Sequence, residues 1–214
     1  MLEHLPRWIG ALLKNVRAGH GKLTIVQEDI APADLVLELS SPAFANGARL
    51  PERFTADGAG VSPPLVWRGV PEGTMSLALL VEDADSPLPN PIVHALVWNL
   101  PAHENGLAEG AIGATADGRS AEDLSDHGDI GRNSYFGGGW LPPDPPPGHG
   151  SHDYVFQLFA LSETPEIGES PGRSRFVEAI AGRVLAAGLF VGTYSRGEPA
   201  VDAAAASIVQ PAPA

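Results

Sequence analysis

Five side chains in three separate stretches have the types and spacing to build a polar ligand site. Asp83 and Asp85 stand two apart in VEDADSP, His94 follows within IVHALVWNL, and His152 and Tyr154 stand two apart in GHGSHDYVF. Residues two apart on a strand share a face. His152 and Tyr154 are therefore expected to point together with Asp153 turned away, and Asp83 and Asp85 to face one pocket. Imidazole and phenol supply hydrogen-bond donors, and imidazole becomes cationic at mildly acid pH. Carboxylates beside imidazoles suit a zwitterion such as phosphoethanolamine: the phosphate meets imidazole and phenol, and the amine meets a carboxylate. A plainer reading competes with this one. Asp-x-Asp before Ser86-Pro87 is also turn chemistry, with side chains folded back on the backbone. A lone His94 in an apolar strand is also what a satisfied core histidine looks like.

These residues need rigid elements to hold them. Residues 142–161, PPDPPPGHGSHDYVFQLFAL, begin with proline clusters that exclude helix and central strand, then loosen at Gly148 and Gly150. The aromatic and aliphatic run that follows has strand character, so a stiff loop delivers His152 and Tyr154 to the mouth of a buried strand. MSLALLVED (75–83) and IVHALVWNL (92–100) read as neighbouring buried strands joined by the proline-stiffened turn ADSPLPNP. Upstream, LTIV (23–26) and DLVLEL (34–39) read as short strands, and SPPLVW as an edge strand. Residues 101–134 form a long polar, acidic, Gly-rich loop, which in a compact domain is functional or mobile. RFVEAIAGRVLAA (175–187) reads as a helix ended by Gly188, with a last strand in LFVGTYS. The remaining histidines, His4, His20, His103, His127 and His149, read as solvated.

The start of the chain has a different character. In LPRWIGALLKNVRA (5–18), Leu5, Trp8, Ile9, Leu12, Leu13 and Val16 recur at helical spacing. Lys14 and Arg17 interrupt the apolar run and no small-residue cleavage site follows, which argues against a secretory signal. The segment is too short and too charged to span a bilayer. It has three possible uses: docking on its own domain, pairing with another subunit, or lying in a membrane interface. The expectation adopted is a homodimer buried partly through this helix. Three segments result: an amphipathic extension over 1–22, one β-rich domain over 23–200, and an Ala/Pro-rich tail over 201–214.

Composition narrows the function. The net charge of −13 is the opposite of a nucleic-acid footprint. The first 22 residues set four cationic side chains against Glu3 alone, so the acidity lies in the remainder. With no cysteine, thiol chemistry and Cys-based zinc sites are excluded. Neither a G-x-S-x-G nor a His-Glu-x-x-His pattern occurs, and no cofactor motif is present.

DADSP followed by His94 and WNLP, then a proline–glycine loop carrying HxY, resembles the phosphatidylethanolamine-binding protein family, and more closely its bacterial, Raf-kinase-inhibitor-like branch. The family's motifs read DPDAP, then a histidine and a strand ending near VNLP, and roughly GPxPPxGxHRYxF. The matching positions are Asp83, Asp85, Pro87 and His94, then Pro145, Pro146, Gly148, His152 and Tyr154. SPAF, SPPLVW and GLFVGTYSR extend the resemblance over residues 35–197. It implies a mainly β fold: an antiparallel β-sandwich with Greek-key connections, a C-terminal helix and a shallow anion-binding pocket lined by those positions. Ala84 in place of a proline, a longer loop with Trp140 and an added Pro-Pro-Asp, and Asp153 in place of arginine depart from the pattern. The implied function is non-catalytic binding of a small phosphate-bearing ligand or phospholipid headgroup in the cytoplasm, without metal or cofactor. The alternatives are an acid–base or metal-dependent hydrolase built on the His/Asp cluster, and a kinase or protease inhibitor acting through its surface.

Overall fold

The computed structural model describes residues 7–30, 36–113 and 128–196. Its centre is β3 (Ser76–Asp83), every residue of which is buried. A strand covered on both faces needs neighbours on both edges and layers above and below. Its edges are taken by β4 (Ile92–Pro101) and β7 (His152–Leu161), both antiparallel to it. Beyond them lie β6 (Asp129–Ile130) on β4 and β8 (Val184–Tyr194) on β7, giving the order β6-β4-β3-β7-β8. Within this sheet the fourth strand in sequence returns beside the first, the 4-1-2-3 order of a Greek key.

A smaller antiparallel sheet, β1 (Glu38–Ser40), β2 (Leu65–Arg68) and β5 (Gly106–Leu107), has the order β1-β2-β5. Leu39, Leu65 and Trp67 from this sheet bury with Leu79, Val81, Phe156 and Leu158 of the large sheet in one core. The opposite face of the large sheet (Ala78, Leu80, Leu96 and Phe159) packs with Phe176 and Ile180 of helix α2 (Arg173–Ile180). The fold is thus mainly β, with an antiparallel sandwich and one helix covering its outer face. No described helix is long and apolar enough to cross a membrane.

Three segments differ from expectation. SPPLVW does not lead into an edge strand, since β2 lies between β1 and β5. Residues 23–26 are not a strand: Thr24–Val26 is a single 3₁₀ turn. Side chains take the place of a neighbouring strand there, since Glu82 accepts the Thr24 N–H at 2.8 Å and Gln157 accepts the Ile25 N–H at 2.7 Å. The second helix stops at Ile180, and residues 184–187 open β8 instead of continuing it. Gly182, with φ of 70°, makes the reversal at no steric cost. Gly188 is then no terminator. It lies inside β8, where a side chain would overlap the Leu37 carbonyl. Residues 31–35, part of the expected 34–39 strand, lie outside the described residues, as does the 201–214 tail.

Helix α1 (Arg7–Leu13) lies on its own domain. A methyl group built on Gly10 would overlap the Pro147 carbonyl oxygen, so the absent side chain is what allows this contact. The chain then runs along the end of β3, with the Ala18 N–H on the Ser86 carbonyl at 2.9 Å and the Gly19 N–H on the Ala84 carbonyl at 2.8 Å. Trp8 and Leu12 face solvent, 67% and 76% exposed.

Candidate functional site

A β-bulge aims His94. Val81 pairs with Ala95 but Glu82 pairs with Val93, so His94 is the extra residue in the β3–β4 ladder. Simple alternation from Ala95 would send His94 to the α2 face. The bulge sends Val93 there instead, into the cluster with Leu80 and Leu96, and leaves His94 on the sandwich side. There its ring meets Tyr154 edge-on at 5.0 Å. His94 Nδ1 lies 2.7 Å from the Leu141 carbonyl oxygen, and the Leu141 N–H donates to the His94 carbonyl at 2.7 Å. Burial holds the His94 pKa below its ordinary value, outweighing the opposing pull of Asp83 and the Leu141 carbonyl.

Beside it runs a chain of hydrogen bonds. His152 Nδ1 lies 2.8 Å from Asp83 Oδ2, His152 Nε2 lies 2.7 Å from His149 Nδ1, and His149 Nε2 lies 2.8 Å from the Leu13 carbonyl. Burial first, and then the electrostatic influence of His152, depress the His149 pKa. His149 is fully buried, not solvated as its loop position implied. Helix α1 and the turn after it are what cover it.

These groups meet at a cavity of about 30 Å³ lined by Asp83, Pro87, Ile92, His94, Tyr135, Leu141, Pro142, Asp144, Pro145, Pro146, His152 and Tyr154. That is room for a water or two, or for the charged end of a ligand whose remainder stays outside. His94 Nε2 and the Tyr154 hydroxyl are buried with no hydrogen-bond partner. A buried polar atom left unpaired costs about 1–3 kcal/mol, so the site is built to be completed by something else. Burial, reinforced by the charges of Asp83 and Asp144, pushes the Tyr154 phenol well above its ordinary pKa, so it stays a donor. Asp144 is paired with Arg196, which also grips Asp57. Both carboxylates facing the pocket thus have partners of their own.

Of the expected residues, Asp83, Pro87, His94, Pro145, Pro146, His152 and Tyr154 line this cavity, and Asp85 and Gly148 do not. The strand ends at Asp83, so alternation does not carry on to Asp85. Instead the Asp85 N–H donates to Asp83 Oδ1 at 2.8 Å, the turn chemistry that competed with the pocket reading. The Asp85 carboxylate pairs with Arg17 and accepts the Asp153 N–H at 2.7 Å. Gly148, at φ of 86°, bends the loop that carries His149. Asp153 points away from the pocket to His20, at 3.0 Å. His20, Asp85 and Asp153 thus tie the N-terminal segment to the sheet end. The sequence reading missed Tyr135, Asp144 and His149, which come from loops with no periodicity to betray them. Trp140, in the loop that departs from the family pattern, is a core residue: it stacks on Phe156 and donates Nε1–H to the Phe54 carbonyl at 3.0 Å.

The contact at Gly10 makes a test possible. Gly10→Val is expected to lift α1 from Pro147 and break the His149–Leu13 link while the sheet stays folded. Imidazole resonances of His149 and His152 would move in the NMR spectrum, and those of the Trp67 indole would not. Unchanged imidazole resonances would show that α1 does not support the chain.

A model of the phosphatidylethanolamine-binding protein family matches residues 40–195. Among similar curated proteins, the UPF0098 protein of Aquifex aeolicus is 34% identical over 82% of this chain and 98% of its own length. That of Methanothermobacter thermautotrophicus is 36% identical over 75% of this chain and its entire length. Among solved structures, the phosphatidylethanolamine-binding protein homolog CT736 of Chlamydia trachomatis matches with a TM-score of 0.66 at 30% identity, over 76% of this chain and 99% of its own. The Escherichia coli protein YbcL, described as a member of the mammalian family, matches at 0.68 and 27% identity, over 74% of this chain and 98% of its own. The family match covers the sandwich from the end of β1 on and every pocket residue, and begins after the N-terminal segment that backs His149; this protein belongs to the phosphatidylethanolamine-binding protein family.

Proposed function

We propose that this protein is a non-catalytic binder of small anionic or zwitterionic phosphate-bearing ligands, phosphoethanolamine among them, at the pocket between β3, β4 and β7. The observation that carries the reading is the pair of buried, unpartnered atoms, His94 Nε2 and the Tyr154 hydroxyl, in a cavity sized for a charged group. His152 was expected to bond the ligand. Both its nitrogens are engaged by Asp83 and His149, so its role is to hold Asp83 and the pocket wall. The same engagement speaks against acid–base work by His152, since a general base needs a nitrogen within reach of substrate. The described lining residues include no Ser, Thr, Cys or Lys to serve as a nucleophile.

Chemical-shift titration with inorganic phosphate and phosphoethanolamine is expected to move His94 and Tyr154 saturably. Tyr154→Phe should weaken binding about tenfold or more, yet leave the fold as stable as the wild type or up to about 1 kcal/mol more so, because it deletes an unpaired buried hydroxyl. Equal affinity in Tyr154→Phe would sink this reading.

A further inference from the structure

The hydrogen-bonding pattern inside the pocket sets the protonation state of the ligand it accepts. His94 faces the Leu141 carbonyl through Nδ1, and a carbonyl only accepts, so Nδ1 carries the proton. In the neutral ring Nε2 is then a bare lone pair, buried and without a partner. The groups around His94 are Asp83 on β3, His152 and Tyr154 on β7, and Asp144, Tyr135 and Trp140 in the loops. Asp83 is engaged by His152 and Asp144 by Arg196. The buried, unpartnered polar atoms at the pocket are therefore one donor, the Tyr154 hydroxyl, and one acceptor, His94 Nε2, with the half-exposed Tyr135 at its rim.

A fully ionised oxyanion has only acceptors. It can take the Tyr154 proton, but it brings another oxygen against the His94 lone pair. A phosphate that keeps one P–OH satisfies both groups, donating to Nε2 and accepting from Tyr154. We propose that the pocket selects phosphate carrying a proton, namely inorganic phosphate or the monoanion of a phosphomonoester, over phosphodiesters and sulfate, with His94 the specificity-determining residue. This rests on the binding reading above and narrows it. The phosphate of an intact phospholipid is a diester, so the favoured source is a free phosphate or phosphomonoester.

The test is calorimetric titration of the full chain with four probes: inorganic phosphate, methyl phosphate, dimethyl phosphate and sulfate. Inorganic phosphate keeps a P–OH at about pH 6, 7 and 8, whereas a phosphomonoester, with a second pKa of about 6, has largely lost its own by about pH 8. Inorganic phosphate is expected to bind at least about tenfold more tightly than dimethyl phosphate or sulfate at about pH 7, a difference of about 1.4 kcal/mol. Methyl phosphate should match inorganic phosphate near pH 6 and fall about tenfold behind it per pH unit well above that. Sulfate should gain as the pH falls, with proton uptake seen as a dependence of the heat on buffer ionisation enthalpy.

His94→Gln places an amide, which can turn either face to the ligand, where the acceptor was. It is expected to reduce the phosphate-to-sulfate preference to below about threefold. Should that variant not fold, the wild-type anion series decides alone. Dimethyl phosphate and sulfate binding within about threefold of inorganic phosphate at every pH would overturn the inference and leave the binding reading standing. No binding of any probe would overturn both.

Discussion

Arg173→Met is expected to lower the unfolding free energy by about 3–5 kcal/mol, the usual consequence of stripping the partner from a buried charge. Glu82, on the α2 side of β3, is fully buried. Its carboxylate receives the Arg173 guanidinium on one oxygen, and on the other the Thr24 N–H at 2.8 Å and the Gln157 amide at 2.7 Å. Arg173 also donates to the Lys22 carbonyl at 2.8 Å, so the same group that neutralises Glu82 pins the N-terminal segment. Removing it leaves a carboxylate in the interior with two neutral donors. The double variant Arg173→Met/Glu82→Gln removes the charge as well and should recover more than half of the loss. Urea unfolding of wild type, both single variants and the double variant closes the cycle. A single-variant cost below about 1 kcal/mol, or a double variant no more stable than Arg173→Met, would show that the buried charge is not what Arg173 answers.

That network also explains where the sequence was legible and where it was not. β3, β4 and β7 announced themselves because each is a long apolar run, and a run buried on both faces is a local property of the chain. Tyr154 and His152 shared a face as alternation required, with rings 6.4 Å apart. Several of the failures involve partners far away in sequence. Residues 23–26 have strand composition, yet their N–H groups are claimed by Glu82 and Gln157, more than fifty residues on. His94 reached the pocket through a bulge whose existence depends on β3 register, which no local pattern encodes. His149 looked like a loop histidine because its cover, the Leu13–Val16 turn, is set by a glycine contact at Gly10. Likewise the apolar stripe from Trp8 to Val16 suggested burial through that stripe. Within its own domain the helix docks at Gly10 with Ile9 and Leu13 half-buried, and it leaves Trp8 and Leu12 outward.

Stability is expected to fall as the solution is acidified from about pH 7.5 toward 5, and His94 and His149, two of the three buried imidazoles, give the slope its sign. His94 and His149 both have pKa values held below the ordinary 6.5, in each case chiefly by burial. As the pH drops through about 6.5 the unfolded chain takes up protons on these rings before the folded protein does. Proton uptake by the unfolded state favours unfolding, so the stability present above 6.5 is lost progressively down to the folded pKa values. Each ring contributes at most about 1.4 kcal/mol per pH unit while it titrates in one state only. His94→Gln removes one of them and should flatten the stability profile between about pH 6.5 and 5 by up to that amount per unit. His149→Gln should flatten it too, but it also unlinks Leu13 from His152, so its effect on the profile comes with a lower stability at neutral pH. Urea midpoints measured across this range for the three proteins decide the matter. A wild-type profile that is level or rises toward acid would mean that the protons, and not the neutral rings, are what the fold prefers at this end of the sheet.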